Sequence, residues 1–271
     1  MPDLELEHII QYHKSVRDAP GLFFDNGVWA NFVNFEDRYV GCSRFGNCAG
    51  DDKIDVFHLD SEFNLIYRNV LTGGEDPRTF IYNGIPHCIT WHPHGSPRVF
   101  DYKLINLITE EVSTLTIEHF PETRVELLGK NWIPLVKDGV LYFVLTIDPQ
   151  LSIIKYNPET HHCVWETSHD LVQNITISRG GTPLIFSNKH DCYFGVGHRT
   201  HDCHNHSPFL YMVSNDLKES YVGPDLWGGN VSDPLSLYEK DEKIYCCIGH
   251  SNIQLGDTTE VGASLYEVKF T

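Results

Sequence analysis

Five similar segments recur along the chain, and they restrict its fold more than any other feature of the sequence. Each begins with a polar residue, in most cases near a proline, and continues as an apolar strand, a short polar turn and a second apolar strand. From the second segment onward the prolines recur at a spacing close to the roughly 40 to 50 residues of propeller blades. The segments begin at Asn31, Asp76, Asn131, Thr182 and Asp233. The repeat therefore predicts an all-β fold, a five-bladed β-propeller.

The remaining strands follow from shorter apolar runs between these segments. Residues 79–82 and 86–91 predict two strands around Asn83-Gly84, a sequence typical of a tight hairpin turn. A final strand over residues 263–270 is predicted to close the ring. The third and fourth strands of the first three blades are expected at residues 54–59, 65–67, 100–105, 113–117, 151–156 and 163–166.

The N-terminal segment differs, because its apolar residues recur at helical spacing. Leu6, Ile9, Ile10 and His13 fall on one side of a helix drawn through residues 4–16. We therefore expect a short leading helix there, with residues 1–20 peripheral to the fold. Residues 1–271 are predicted to form a single propeller domain, since all-β folds of this length are commonly one domain.

Charge argues against nucleic acid and anionic membranes as partners. Asp and Glu total 37 against 20 Lys and Arg, for a formal net charge of -17, whereas a surface that follows phosphates needs clustered cations. No apolar run approaches the roughly 18 residues of a membrane span, and the N-terminus is acidic and polar, so no export signal is visible. We expect a cytoplasmic protein whose partner is a small sugar or glycan; the oligomeric state stays open.

The cysteines are scattered, and they lack the spacing of a disulfide framework. Several lie within strand-like runs, which predicts reduced core residues. They are Cys42, Cys48, Cys88, Cys163, Cys192, Cys203, Cys246 and Cys247.

Polar residues of the repeat are predicted to converge. The innermost strand of each propeller blade lines the central channel, so residues distant in sequence meet there. The predicted set is Arg44, Asp76, Arg78, Asn131, Thr182, His198 and Asp233.

Residues 73–80 carry the densest group of chemical functions, with two carboxylates and a guanidinium around a proline. Pro77 favours an extended conformation for Asp76, and Gly73-Gly74 would allow the backbone to approach a ligand. By itself the motif fits a turn with a surface ion pair equally well, and its place in the repeat favours a site.

Further cations recur at the starts of blades. Lys130 precedes Asn131-Trp132, Arg179-Gly180-Gly181 precedes Thr182, and His198-Arg199 ends an apolar strand, an arrangement that favours an anion. The alternatives are a buried Trp132 with a solvated lysine, a plain loop and a structural histidine. A run of histidines and cysteines lies nearby, but it lacks paired CxxC or HxxxH elements, and we therefore predict no metal site. That run comprises His190, Cys192, His198, His201, Cys203, His204 and His206.

The motifs GGEDPRTF, GKNWIPL, RGGTPLIF and FGVGHR, in this order on five β repeats, resemble the β-mannoside phosphorylase family of glycoside hydrolases and the related mannosyltransferases. The resemblance covers nearly the whole chain and rests chiefly on residues 54–80. It implies a five-bladed propeller in which Asp76 is the lone catalytic acid, while inorganic phosphate attacks the anomeric carbon with inversion. Phosphate or sugar 1-phosphate is then a substrate, and no cofactor is needed.

The resemblance also assigns supporting roles. Phosphate binding is predicted for Arg124, Lys130, His198 and Arg199. Substrate binding is predicted for Arg44, Glu75, Arg78, Asn131, Arg179, Thr182 and Asp233. The first segment reads Asn31-Phe32-Val33 where the family has an Asn-Pro-Ser-like start. Two other functions stay open, namely a glycoside hydrolase in which water replaces phosphate and a non-catalytic propeller that binds glycans or proteins.

Overall fold

A computed structural model describes residues 4–16, 27–45, 52–94, 99–117, 131–167, 178–202, 205–228, 231–252 and 260–270. Every helix or strand assigned in these residues is a β-strand, and they are numbered β1 to β21 in chain order. Within the same ranges, no helix of the length and apolarity that a membrane span requires is found. The all-β prediction is confirmed.

The strands form five antiparallel units, which we call blades 1 to 5. Blade 1 contains β2 (Gly27–Phe35), β3 (Arg38–Phe45), β4 (Lys53–Leu59) and β5 (Leu65–Gly73). Blade 2 contains β6 (Glu75–Tyr82), β7 (Ile85–His94), β8 (Val99–Asn106) and β9 (Val112–Ile117). Blade 3 contains β10 (Ile133–Lys137), β11 (Val140–Thr146), β12 (Ser152–Asn157) and β13 (His162–Trp165).

The last two blades complete the ring. Blade 4 contains β14 (Ser178–Arg179) and β15 (Ile185–Ser187), which both pair with β16 (Cys192–Asp202), followed by β17 (Asn205–Ser214) and β18 (Ser220–Asp225). Blade 5 contains β19 (Val231–Lys240), β20 (Lys243–Asn252), β21 (Glu260–Phe270) and β1 (Leu4–Val16). The innermost strands contact one another across the axis, β6 touching β2, β10 and β19. This arrangement is the predicted five-bladed propeller.

The predicted hairpin between β6 and β7 is confirmed. Asn83 and Gly84 both have positive φ, 51° and 74°, between the paired residues Tyr82 and Ile85. A two-residue turn with positive φ at both positions matches the twist of antiparallel strands, which explains the Asn-Gly sequence.

The innermost strand of blade 4 is interrupted where two glycines pass close to neighbouring backbone. A Cβ on Gly180 would lie 2.1 Å from the carbonyl oxygen of Asn131, and one on Gly181 would lie 2.2 Å from that of Val196. Only glycine fits these positions. Gly180 thereby allows blade 4 to pack against the start of blade 3, and Gly181 allows the chain to approach β16 within blade 4.

The predicted N-terminal helix is wrong, because β1 pairs antiparallel with β21 along its whole length. Register shifts after His8 and after Gln11 interrupt the regular alternation, so the apolar spacing imitates a helix. Ile9 and Ile10 are exposed, while Tyr12 is buried. The ring therefore closes through β1 at the outer edge of blade 5, and β21, predicted as the closing strand, lies one position further in.

Tyr12 ties this closure to blade 1. Its ring lies 4.7 Å from that of Phe32, its hydroxyl donates to the carbonyl of Ala30, and its cluster includes Tyr39 and Leu265. One apolar cluster thus spans blades 5 and 1. The core positions predicted for cysteines are confirmed for Cys42, Cys88, Cys163, Cys246 and Cys247, whereas Cys192 is only half-buried. Cys48 and Cys203 lie outside the described residues.

We expect Tyr12→Ala to lower the free energy of unfolding by about 3–5 kcal/mol, as for other large-to-small core substitutions. Ile9→Ala is the matched control on the same strand, because Ile9 is 47% exposed, and its effect should stay within about 0.5 kcal/mol. Urea unfolding at pH 7.5 measures both. Equal effects of the two substitutions would contradict closure through Tyr12.

A second prediction concerns acid stability. Burial lowers the pKa of His250 to about 4, whereas an unfolded chain's histidine titrates near 6.5. The unfolded state therefore binds the additional proton first, and the contribution of neutral His250 is lost as the pH falls from about 6.5 to about 4.

We expect this group to cost about 1–2 kcal/mol between pH 7.5 and pH 5. His250→Gln removes the titration and should reduce the difference between urea unfolding free energies at those two pH values. An unchanged difference would assign the acid sensitivity to other groups.

Candidate functional site

Three carboxylates converge on the buried guanidinium of Arg44 in β3. The Nη1 atom lies 3.1 Å from Oδ1 of Asp76, and Nη2 lies 2.7 Å from Oδ2 of Asp52 and 3.6 Å from Oε1 of Glu75. Arg44 belongs to blade 1 and Asp76 to blade 2, so the contact joins two blades. We call these four residues the Arg44 cluster.

An irregularity at the start of β6 lets consecutive carboxylates reach one guanidinium. On a regular strand Glu75 and Asp76 would point to opposite faces, but the pairing with β7 shifts register between Glu75 and Arg78. Asp76 has a φ of 47°, so the extended conformation predicted for it is wrong. A bulge of this kind redirects side chains, and positive φ in a non-glycine residue persists only where the surroundings impose it.

Positive φ at a non-glycine residue recurs near the axis in neighbouring blades. Trp29, just before Asn31 in blade 1, has a φ of 57°, and Asn131, just before β10 in blade 3, has a φ of 71°. The pairing of β2 with β3 also shifts register between Val28 and Asn31. Irregular backbone at the axis is therefore a shared property of blades 1 to 3.

Gly73-Gly74 does not open space for a ligand, contrary to prediction. A Cβ on Gly73 would lie 2.8 Å from the His92 ring, and one on Gly74 would lie 2.6 Å from Oγ1 of Thr90. Side chains of β7 already occupy that space. These glycines allow β7 to pack against the link between blades 1 and 2.

A pocket beside Asp76 combines aromatic rings with polar groups. The Tyr102 and Trp132 rings stack with centroids 3.6 Å apart, and Arg78 Nη2 donates to Oδ1 of Asn131 over 3.0 Å. The alternative reading of Trp132 as a buried ring is confirmed, since it is 2% exposed. The pocket is lined by Asp76, Arg78, Ile89, Thr90, Trp91, Tyr102, Asn131 and Trp132.

Asn31 holds the Asp76-Pro77-Arg78 backbone from blade 1. Its Nδ2 donates to the carbonyl of Pro77 over 3.2 Å, and its Oδ1 accepts from the backbone amide of Thr79 over 2.9 Å. A side-chain amide has both a donor and an acceptor to satisfy these two groups at once. Asn31 therefore positions the segment that carries Asp76.

A second cluster joins blades 4 and 5, and we call it the His198 cluster. His198 in β16 and His206 in β17 lie on the same face of two paired strands, with rings stacked 5.1 Å apart. His206 Nδ1 lies 2.8 Å from Oδ1 of Asp233, and His198 Nε2 lies 3.6 Å from the same oxygen. Two imidazoles and a carboxylate, whose donor atoms all lie within 4.8 Å of one another, could hold a metal ion.

Burial and neighbouring charge set the protonation of this cluster. Burial lowers the pKa of His198 to about 3, assisted by the positive charges of Arg78 and Arg179, so the imidazole is neutral at pH 7. Burial alone would raise the pKa of Asp233, but attraction to His198, His206 and Arg78 holds it near 2. Because His198 is neutral at pH 7, we attribute the ionised state of Asp233 there to Arg78 and the His206 hydrogen bond.

The predicted pair His198-Arg199 does not act as a unit. Adjacent residues of a strand point to opposite faces, and Arg199 forms an ion pair with Asp225, donates to the carbonyl of Gly223 and lies over the Phe209 ring. Arg124 and Lys130 lie outside the described residues.

Thr182 and Arg179 lie in blade 4. Oγ1 of Thr182 accepts from the backbone amide of Val196 over 3.0 Å, and the residue is fully buried. Arg179 pairs in register with His198. The positive charge of Arg78 lowers the pKa of both His198 and Asp233. Arg78 therefore lines the pocket beside Asp76 and also acts on the His198 cluster through its charge.

Several residues of the two clusters and of the pocket beside Asp76 were not singled out from the sequence. Asp52 lies directly before β4, and an acid at that position was a usable signal. Trp91 and Tyr102 looked like ordinary core aromatics. His206 appeared only within the histidine-rich run, because its partner Asp233 is 27 residues away.

No protein-family model and no curated protein matches the sequence. Solved structures do match in fold, and they include a xylan β-1,4-xylosidase from Bacillus halodurans C-125 with a TM-score of 0.59 and 11% identity. The alignment covers 87% of this chain and 52% of the xylosidase, so the chain spans about half the length of that protein.

Two further matches are closer in length. A GH43 β-1,3-galactosidase with galactodeoxynojirimycin gives a TM-score of 0.55 at 10% identity, covering 88% of this chain and 90% of its own. A GH43_1 enzyme from Xanthomonas citri complexed with xylose gives 0.58 at 9% identity, covering 88% and 87%. All three support the propeller fold.

We expect Arg44→Gln to lower the free energy of unfolding by about 3–5 kcal/mol at pH 7.5, because it leaves three carboxylates around the site of a missing cation. The loss should shrink near pH 4, where protonation relieves the repulsion. Urea unfolding at both pH values tests this.

The control is Lys243→Gln, which removes the exposed ion pair with Glu267 and should cost no more than about 1 kcal/mol. A pH-independent effect of Arg44→Gln would mean that packing, and not charge, is its main contribution.

Proposed function

We propose that this protein is a carbohydrate-active enzyme that cleaves glycosidic bonds, with water as the acceptor. The observation that carries the proposal is the Asp76 carboxyl, which contacts the Arg44 guanidinium over 3.1 Å and lines a cavity of about 10 Å³ beside Trp91, Tyr102 and Trp132. Ligand sites in proteins combine apolar and aromatic walls with a few directed polar groups. The likeness in fold to xylosidases and a galactosidase supports the same class of substrate.

The cavity has room for about one water molecule, so in this proposal the sugar ring binds over its opening and not inside it. A pyranose presents a C–H face that packs on an aromatic ring and hydroxyl groups at its edge that need hydrogen bonds. Trp91 and the stacked Tyr102–Trp132 pair supply apolar surface, while Arg78 and Asn131 supply a donor and an amide. Arg78 and Asn131 are thus proposed to bind the substrate hydroxyls.

The Arg44 cluster supplies the acid–base chemistry in this proposal. Hydrolysis of a glycoside uses one carboxyl that protonates the leaving oxygen and a second that activates water or attacks the sugar. Glu75 and Asp76 contact the same guanidinium, which fixes the two carboxyls relative to each other. We assign the proton donor to Asp76 and the second carboxylate to Glu75.

Phosphorolysis of β-mannosides is the second candidate, supported by the motif resemblance. Asn31, Asn131 and Thr182, at three of the five repeat positions, are neutral, and phosphate needs no carboxylate to activate it. Against this, His198 is neutral at pH 7 and Arg199 is engaged by Asp225. Inorganic phosphate would therefore depend on cations other than this pair.

One assay separates these functions. Purified protein is incubated with 4-nitrophenyl β-xyloside, β-galactoside and β-mannoside, with and without inorganic phosphate, and the products are identified. Free sugar formed without phosphate supports hydrolysis, and sugar 1-phosphate formed only with phosphate supports phosphorolysis. Saturable binding without turnover would overturn the proposal in favour of a sugar-binding propeller.

Asp76→Asn keeps the shape of the side chain and removes its acidic proton. We expect kcat to fall by roughly two to four powers of ten, the range for loss of a general acid, with little change in sugar binding. The matched control is Asp216→Asn on the exposed turn of blade 4, which should retain wild-type turnover. Near-complete activity of Asp76→Asn would mean that Asp76 has only a structural role.

A further inference from the structure

The His198 cluster takes no part in the glycoside cleavage proposed at Asp76. We propose that His198, His206 and Asp233 bind one divalent transition-metal ion of the zinc class. Three blade strands bring the ligands together, since β16 carries His198, β17 carries His206 and β19 carries Asp233. Rigid strands that present all three side chains make a preformed site.

The spacing of the donor atoms fits a single ion. Zinc bonds to nitrogen and oxygen measure about 2.0–2.2 Å, so two donors in tetrahedral geometry lie roughly 3.3–3.5 Å apart. His198 Nε2 and Asp233 Oδ1 are 3.6 Å apart, longer than a hydrogen bond and close to that separation. His206 Nδ1 lies 2.8 Å from the same oxygen and needs only a small movement when its hydrogen bond is exchanged for metal coordination.

The other ring nitrogen of His198 is buried and unsatisfied. His198 is 2% exposed, and among the described residues its Nδ1 atom has no hydrogen-bond partner. An ion bound to Nε2 would leave Nδ1 unchanged, so the proposal is carried by the separation of the three donor atoms and not by this nitrogen.

The donor set identifies the class of ion. Imidazole nitrogens suit zinc, copper, nickel and iron, whereas calcium and magnesium prefer a shell of oxygens. Two imidazoles with one carboxylate leave a fourth position open, as in zinc sites that keep a water or substrate ligand. His206 and Asp233 retain some exposure, at 16% and 12% of their side chains, so this position can be reached by solvent.

The test measures metal content directly and requires no substrate. Protein treated with chelator and returned to buffer is equilibrated with Zn²⁺, and bound metal is quantified by mass spectrometry and by calorimetry. We expect about one ion per chain for wild type. His206→Gln and Asp233→Asn should each weaken binding by more than about tenfold, since each removes a direct ligand.

His162→Gln is the control, because His162 lies in blade 3 and contacts Thr116; it should bind zinc as wild type does. Circular dichroism confirms that each variant is folded, and a zinc-dependent rise in Tm for wild type and His162→Gln, absent from the two ligand variants, gives a second readout. Full zinc binding by both ligand variants, absence of binding by wild type, or displacement of zinc by an equal concentration of Ca²⁺ would overturn the proposal. Loss of glycoside cleavage with intact zinc binding would instead affect only the function assigned to Asp76.

Discussion

Pairing between β1 and β21 is the constraint on which the rest of the structure depends. A propeller positions its innermost strands only when the ring is closed, because each blade packs on the next around a common axis. Here the ring is closed by β1, which pairs with β21 and forms the outer strand of blade 5. Tyr12 then joins that strand to the core of blade 1 through Ala30 and Phe32.

Closure brings buried charges together near the axis, and the charges connect the blades in turn. Arg44 reaches from blade 1 to Asp76 of blade 2, and Arg78 of blade 2 contacts Asn131 before blade 3. Asp233 of blade 5 is held by His206 and His198 of blade 4. Buried ions are costly unless paired, so the contacts that bring these charged residues together also require the blades to stay in place.

The two polar clusters differ in character, and this difference suggests a division of labour. The Arg44 cluster has three carboxylates around one cation beside aromatic side chains, and acid–base chemistry is the role proposed for it. In the His198 cluster a neutral imidazole accompanies an ionised carboxylate, an arrangement suited to donating electron pairs. Arg78 lines the pocket beside the first cluster, and its charge lowers the pKa values of His198 and Asp233 in the second. A substitution that moves Arg78 is therefore expected to alter both clusters.

Strand periodicity, the Asn83-Gly84 turn and the five repeats are local properties, and they were sufficient to predict the fold class. The N-terminal strand was missed because two register shifts disguise its alternation and because β21, its partner, lies at the other side of the sequence. The conformation of Asp76 was also mispredicted, since the bulge in β6 outweighs the local preference imposed by Pro77.

The sequence by itself determined which polar residue types begin each innermost strand, because a repeat of strand and turn signals fixes their place in a blade. Only the tertiary structure decided which of them meet. Arg44 was predicted to bind substrate, and the structure makes it the common partner of three carboxylates. Arg199 was expected beside His198 and faces Asp225. The face of the strand on which each residue lies, and the contacts between blades, decide which side chains meet. Both depend on strand register and on ring closure, which no local stretch of sequence specifies.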